Sequence, residues 1–509
     1  MAVLSKLFAL VTALVTLAGC AGIRQAEQPE NRPPRDSSPT WGPCPPVSSG
    51  AVNPRQECAS IQVPEDYGQP TGRRISLAIS RVRSERPELR RGVLLLIPGG
   101  PGSPGLSRPS TYLPRLPTHV RDRYDLVGFD PRGLGASTPV SCQLTGDDMI
   151  PAMLKPWPAP NGDISENVTR ARRFAEACER NGGPGLRHIS TRTEARDIEQ
   201  IRQALGEERI SYWGLSYGTY VGAVYATLFP EHTDRVVLDS NDDPNPQQVA
   251  RGWLANYAVS IEDRFPDFAA WAAARQAEYG LGADPRSVRE TFLRLAAELD
   301  RRPILWPGAR PAELNGNILR DTMLTALYSD AGFPRLAALM HAASTAGPLP
   351  ASEPAPREST LQNSAAVLLS TVCNDVEWPR STSRYPADVA RNRAAFPLTA
   401  GMPANLFPCL FWPTTPAEPA VRITSLGPSN VLLIQNLRDP STPHSGAIQM
   451  RRALGDRARM ITVDSGGHGA YLANGNTCGD RAVTAFLTDG TRPSHDTICP
   501  NEKPPPGDR

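Results

Sequence analysis

The sequence predicts an α/β fold, a mostly parallel central sheet covered by helices and interrupted by a large, mainly helical cap insertion. Three observations carry this. Short apolar runs of strand length alternate with helical periodicities up to about residue 244, the pattern of successive βαβ units. From Asn245 helical patterns dominate to about Arg422. The strand rhythm then resumes at Val431, so one sheet is read on both sides of an insertion.

The elements follow in order. Residues 93–97 form a continuous apolar run that stops at Pro98-Gly99-Gly100-Pro101-Gly102. An unbroken run of this length fits a strand buried on both faces. Residues 124–129 make the next strand, closed by Asp130-Pro131-Arg132-Gly133. A helix around 195–205 places Ile198, Ile201 and Leu205 on one face. A short strand at 210–213 leads into Gly214-Leu215-Ser216-Tyr217-Gly218, and a small-residue helix runs from there to about Leu228. Residues 235–238 are another strand. In the insertion, Val288, Phe292, Leu295 and Leu299 recur at the spacing of one helix face. Residues 431–435 and 459–463 are strands, the second expected to be the last.

Outside this pattern lie two kinds of segment. Lys6 precedes an apolar run over 7–17 that is too short to span a bilayer, and Leu17-Ala18-Gly19-Cys20 follows. This reads as an export signal ending in a bacterial lipoprotein cleavage box, with Cys20 as the lipidated N-terminus of the mature chain and its attachment to the membrane. An ordinary secretory signal is the other reading. Both place the protein outside the cytoplasm, lipid-anchored to the outer face of the cell membrane or secreted. Residues 21–43 are polar and proline-rich, as expected of a disordered tether, and 500–509 of a disordered tail. The expected organisation is therefore 1–20 signal, 21–43 tether, 44–244 first part of the core, 245–425 cap, 426–499 second part of the core, and 500–509 tail.

Composition narrows the function. The net charge of +2 gives no field to gather a polyanion, which argues against nucleic acid as a partner. Removing Cys20 leaves eight cysteines, an even count that in an exported chain reads as four disulfides. Nearest-neighbour pairing is expected because the pairs fall in four separate regions: Cys44–Cys58, Cys142–Cys178, Cys373–Cys409 and Cys478–Cys499. No Cys-x-x-Cys or clustered Cys/His spacing occurs, so no metal site is expected, and no organic cofactor is implied. The sequence leaves the oligomeric state open.

The chemistry centres on Ser216. Gly-x-Ser-x-Gly between a strand and a helix is the tight turn that exposes a nucleophilic hydroxyl in the α/β-hydrolase fold. A serine needs a base, and in this fold the chain order is serine, acid, histidine. His468, in Ser465-Gly466-Gly467-His468-Gly469 after the last expected strand, is the base. Asp439, in Asn436-Leu437-Arg438-Asp439-Pro440, is the acid, with Asp239 as its rival. The oxyanion donors are the amide of Tyr217 and an amide of the glycine loop, Gly100 or its neighbour Gly99. That loop lacks the lysine and Ser/Thr of a phosphate cradle.

Together these motifs resemble the serine peptidase branch of the α/β-hydrolases that contains the proline iminopeptidases and tripeptidyl aminopeptidases. The resemblance covers about residues 44–500. Pro98-Gly99-Gly100-Pro101-Gly102 is similar to the loop of the secreted actinobacterial members, with Pro98 where proline iminopeptidases carry histidine. Asp130-Pro131-Arg132-Gly133-x-Gly135-x-Ser137, Asp439-Pro440-x-Thr442-Pro443 and Gly467-His468-Gly469 resemble further family segments. The resemblance implies cleavage of peptide or protein substrates through an acyl-enzyme, from the N-terminus. It also implies cap carboxylates that hold the substrate's free amine. Asp375 and Glu377, in Cys373-Asn374-Asp375-x-Glu377-Trp378, are the expected anchors. An esterase acting on envelope lipids would use the same triad, and a binding lipoprotein on a hydrolase fold is the third reading.

Overall fold

The computed structural model describes residues 38–46, 52–144, 148, 154–352, 354 and 356–502. The expected signal segment with Cys20, residues 21–37 of the expected tether and 503–509 of the expected tail lie outside the described residues.

Nine strands form the central sheet. The first part of the chain supplies β1 (Glu57–Pro64), β2 (Arg74–Val82), β3 (Gly92–Ile97), β4 (Tyr124–Phe129), β5 (Ile210–Leu215) and β6 (Thr233–Asp239). Among the described residues the strands of the insertion are a two-stranded ribbon, β7 (Ile304–Leu305) and β8 (Glu313–Leu314). The chain then returns with β9 (Val431–Arg438), β10 (Ala458–Gly466) and β11 (Thr497–Cys499). The strand order is β1-β2-β4-β3-β5-β6-β9-β10-β11. Pairings to β2 are antiparallel and all others are parallel. β9 pairs directly with β6, Val236 opposite Val431, so the insertion leaves and rejoins the sheet between neighbouring strands.

Alternation along the central strands builds the two cores. Val93, Leu95 and Ile97 face one side, packed with Ile198 and Ile201 of the helix Thr191–Ala204 and with Val221 and Val224 of the helix Tyr217–Leu228. Leu94 and Leu96 face the other, with Val483, Phe486 and Leu487 of the helix Thr477–Asp489. Successive strand side chains point to opposite faces, and each fully buried aliphatic chain contributes about 1.5–3 kcal/mol. Both faces are covered, which is why β3 reads as a continuous apolar run.

Several boundaries differ from the sequence reading. β1 and β2 precede the first strand read from the sequence. Residues 38–43 and 500–502, read as part of a disordered tether and tail, are tied to the core: Gly42 pairs with Cys58, and Glu502 accepts the amides of Thr477 and Cys478 at 2.8 and 3.1 Å. β10 is not the last strand. β11 adds three residues beside Ile461–Val463, too short for an apolar pattern to reveal. Cys142, Leu144 and the described residues from Trp157 to Leu186, assigned to the hydrolase core, contribute to the cap cluster instead. Phe174, Ala175 and Cys178 of the helix Ser165–Asn181 share one buried cluster with Ile261, Phe265, Phe292 and Phe407. The cap is therefore built from two insertions, because the apolar face of that helix meets cap residues and not the sheet.

The cap helix Pro285–Arg301 buries Val288, Phe292, Leu295 and Leu299, and Asp284 accepts the Ser287 amide at 3.0 Å as its N-cap. The four nearest-neighbour cysteine pairs are joined as disulfides. Among the described residues no helix is long and apolar enough to cross a membrane.

Candidate active site

The turn after β5 is built around close backbone approach. Ser216 has φ 59° and ψ −130°, a left-handed conformation that side chains other than glycine rarely adopt. A Cβ on Gly214 would lie 2.3 Å from the Gly218 carbonyl oxygen, and one on Gly218 would lie 2.6 Å from that of Pro98. One on Gly99 would come within 2.9 Å of Ser216 Cβ. Glycine at these three positions lets the β3 loop and the serine turn touch. The strain is held by hydrogen bonds: Ser216 N–H donates to Asp239 O at 3.0 Å, and Thr219 Oγ1 donates to Ser216 O at 2.6 Å.

His468 stands across from Ser216, and both line one cavity of about 300 Å³. Its Nδ1 is 3.0 Å from each carboxylate oxygen of Asp439. A carboxylate only accepts, so Nδ1 carries the proton and Nε2 is left as the acceptor. Asp439 is buried, and its Oδ1 also accepts the amides of Ser441 and Thr442 at 2.9 Å each. Burial pushes this carboxyl up, but the charge and hydrogen bond of His468 together with the two amides outweigh it, and its pKa lies below the usual aspartate value. Burial lowers His468, and the carboxylates around it, Asp439 foremost, more than reverse this. The pair thus stabilises an imidazolium.

Asp239, the rival acid, has a different task. It accepts the amides of Ala470 and Tyr471 at 2.8 and 3.1 Å, while Ser240 Oγ accepts the Gly469 amide at 2.8 Å. The end of β6 therefore clamps the loop that carries His468. The cap holds the same loop from the other side: His468 N–H donates to Tyr328 O at 2.8 Å, and the two rings meet edge to face at 5.0 Å.

The glycine loop closes a further wall. Gly99, Gly100 and Tyr217 all line the cavity. Among the described residues the amides of Gly100 and Tyr217 meet no protein acceptor, as an oxyanion site requires. Gly100 has φ +113°, and a Cβ there would lie 2.9 Å from Gly102 N. The Asp-Pro-Arg-Gly segment supports this wall from below. Asp130 Oδ1 accepts the amides of Gly105 and Leu106 at 2.9 Å each. Arg132 makes a buried two-point pair with Asp197.

The expected amine anchors are corrected by the structure. Asp375 is buried away from this cavity. Its Oδ1 accepts the Thr191 amide at 2.8 Å and its Oδ2 accepts the Thr191 hydroxyl. Thr191 Oγ1 is in turn 2.6 Å from the Tyr217 hydroxyl. Asp375 is thus a buttress beneath the serine turn, tying the end of the cap helix Glu358–Asp375 to the core. Burial raises its pKa to about 6. Glu377 is exposed and lines no part of the cavity. The proximity of both to Cys373 along the chain does not carry into space, because the helix ends between the two.

Sequence reasoning missed four contributors. Asp242, three residues beyond the end of β6, is the single carboxylate among the cavity-lining residues. It is 8% exposed, and its carboxylate makes no hydrogen bond among the described residues. Burial raises its pKa to about 7 against the pull of His468. Arg108 lines the cavity beside the glycine loop. Trp253 and Tyr257 come from the cap helix Trp253–Ala273. The Asp242-Asp243 pair beyond a strand was the one available signal.

The comparisons with known proteins agree with this geometry. Residues 92–301 match the family described as "alpha/beta hydrolase fold", and 394–499 match "TAP-like protein". The tripeptidyl aminopeptidase of Streptomyces coelicolor is 33% identical over 88% of this chain and 84% of its own. The chain belongs to this tripeptidyl aminopeptidase-like family of α/β-hydrolases. The serine protease Hip1 of Mycobacterium tuberculosis is 29% identical, with 96% of each chain covered. A protein named carboxylesterase B from the same species is 30% identical over 95% of this chain and 94% of its own. As a member of this family the chain is a serine peptidase.

Proposed function

We propose that this serine peptidase is an exported aminopeptidase that releases short N-terminal peptides through an acyl-enzyme. In this reading Ser216 Oγ attacks the scissile carbonyl carbon while His468 Nε2 takes its proton. The amides of Gly100 and Tyr217 hold the oxyanion. The C–N bond then breaks, and His468 passes the proton to the leaving amine. Water, deprotonated by His468, hydrolyses the ester and restores Ser216. Asp439 keeps the imidazole in the reactive tautomer throughout. Export is supported by the Leu17-Ala18-Gly19-Cys20 segment and the paired cysteines, with Cys20 as the lipid attachment point.

The observation that carries the aminopeptidase reading is Asp242. A buried carboxylate without a partner is costly, and a substrate ammonium would supply that partner. Asp242 therefore replaces Asp375 and Glu377 as the amine anchor. The relative named tripeptidyl aminopeptidase supports the same reading.

The test compares a tripeptide amide bearing a free amine with its N-acetylated form. The free amine is expected to be turned over with kcat/KM roughly ten- to a hundredfold higher, and Asp242→Asn is expected to collapse that ratio. Equal rates on both substrates would sink the aminopeptidase reading. Faster cleavage of fatty-acyl esters than of any peptide would favour an envelope esterase.

A further inference from the structure

The catalytic cavity carries a second unpaired charge, and it is positive. Arg108 begins the short helix Arg108–Tyr112 and lines the cavity together with Ser216, Gly100 and Asp242. Among the described residues no carboxylate lies within ion-pair distance of it. Its one side-chain partner among the described residues is Tyr112, whose hydroxyl interacts with the guanidinium and whose ring centroid lies 5.9 Å from the guanidinium carbon. Arg132 and Arg320 are paired with Asp197 and Asp300, and the buried Arg457 donates to the carbonyl oxygens of Ala226 and Leu426, whereas the Arg108 guanidinium has neither kind of partner among the described residues. Burial pulls the Arg108 pKa down, and Tyr112 offsets this only in part, yet a guanidinium stays charged in a protein.

The topology separates the two charges. Arg108 follows the loop after β3, and the segment before it is pinned by Asp130 at the end of β4. Asp242 follows β6. In the sheet, β3 and β6 flank β5 on opposite sides, and β5 carries Ser216. The cavity therefore presents a carboxylate on one flank of the nucleophile and a guanidinium on the other. A peptide lying across Ser216 with its amine at Asp242 must point its leaving half towards Arg108.

We propose that Arg108 recognises an anionic group on the leaving side of the substrate, the C-terminal carboxylate of a short peptide. The inference rests on the aminopeptidase reading and narrows it. The preferred substrates are short oligopeptides with both ends free, and the cavity reads both ends at once. A planar guanidinium suits this because it meets a carboxylate with two parallel hydrogen bonds.

The experiment uses the full chain and a length series of oligoalanines, each as the free acid and as the C-terminal amide. For the shortest peptides cleaved, the acid should exceed the amide in kcat/KM by roughly ten- to a hundredfold, carried in KM. The preference should fade as the peptide lengthens and its carboxylate passes beyond Arg108. Arg108→Gln should bring the acid-to-amide ratio towards one, and Arg108→Lys should restore part of it. The wild-type ratio needs no variant, so a misfolded R108Q protein leaves the proposal testable. Equal wild-type rates on acid and amide overturn the role of Arg108 and leave the aminopeptidase reading standing. A preference that survives in well-folded R108Q also overturns it. Failure to cleave any of these peptides takes down both readings.

Discussion

Two buried aspartates stand at the ends of parallel strands that are neighbours in the sheet, Asp239 on β6 and Asp439 just beyond β9. Each accepts two backbone amides. Their pKa values nevertheless move in opposite directions. Burial dominates at Asp239 and raises it to about 7. At Asp439 burial is outweighed by the charge and hydrogen bond of His468, and the net shift is downward. At Asp239 two amides, the Trp213 indole N–H and the more distant charge of His468 do not compensate the carboxylate for leaving water, whereas at Asp439 two amides and a direct hydrogen bond from His468 do. What the side chain touches, not its place in the fold, separates the acid of the triad from a loop clamp.

The comparison breaks first at Asp439. Asp439→Asn should lower kcat about 10⁴-fold, because the amide no longer fixes the reactive imidazole tautomer. The same variant should move the acid limb of kcat/KM down. In the wild type Asp439 raises the His468 pKa above its ordinary 6.5, so activity is lost as pH falls through a value above 6.5. A pH–rate profile that keeps its acid limb in the variant would show that Asp439 does not act on His468.

Asp239→Asn should give a smaller loss, about tenfold in kcat, as the loop carrying His468 loosens. Its sharper signature is in stability. The folded-state pKa of Asp239 is about 7 against an ordinary 3.8, so folding favours the neutral form. Its contribution is full below the ordinary value and is lost as pH rises through about 7. Thermal denaturation at about pH 5 and about pH 8 should show a steeper decline in the wild type than in D239N. Asp439 runs the other way: its stabilisation is present above the ordinary aspartate pKa and disappears as pH falls through the lowered folded value. A D239N protein with the wild-type pH slope would remove the contrast.

The smallest effects belong to the cap carboxylates. Asp375→Asn should lower Tm by about 2 °C, because Thr191 loses a charged acceptor beneath the serine turn. Glu377→Gln should leave stability within about 0.5 kcal/mol of the wild type. Both should keep the preference for free-amine substrates, measured by the same pair of peptides, since neither lines the cavity.

The sequence by itself determined the six central parallel strands and the positions of the serine, acid and base candidates, but not the edge strands β1, β2 and β11. Those signals are local. A strand buried on both faces writes itself as an apolar run such as 93–97, a strained serine turn demands Gly214 and Gly218, and the order of Ser216, Asp439 and His468 follows the order of the strands that present them. Eight cysteines allow 105 pairings, so the sequence did not fix the connectivity; nearest-neighbour pairing was the expectation, and the structure joins those pairs. Tertiary structure alone decided the rest. Asp375 is the last residue of its helix and Asp242 lies just beyond β6, each with a second carboxylate close by in sequence, and nothing local distinguishes them. One is satisfied by Thr191, 184 residues away in sequence, and the other opens into the cavity with no hydrogen-bond partner for its carboxylate among the described residues. Arg108 is an ordinary surface-type residue until the sheet order sets it opposite Asp242. The cap likewise gathers Cys142, Leu144 and residues from Trp157 to Leu186 because apolar contact is blind to sequence distance. Hydrogen-bond satisfaction and charge pairing are properties of the assembled neighbourhood, and the function of a charged residue is decided there.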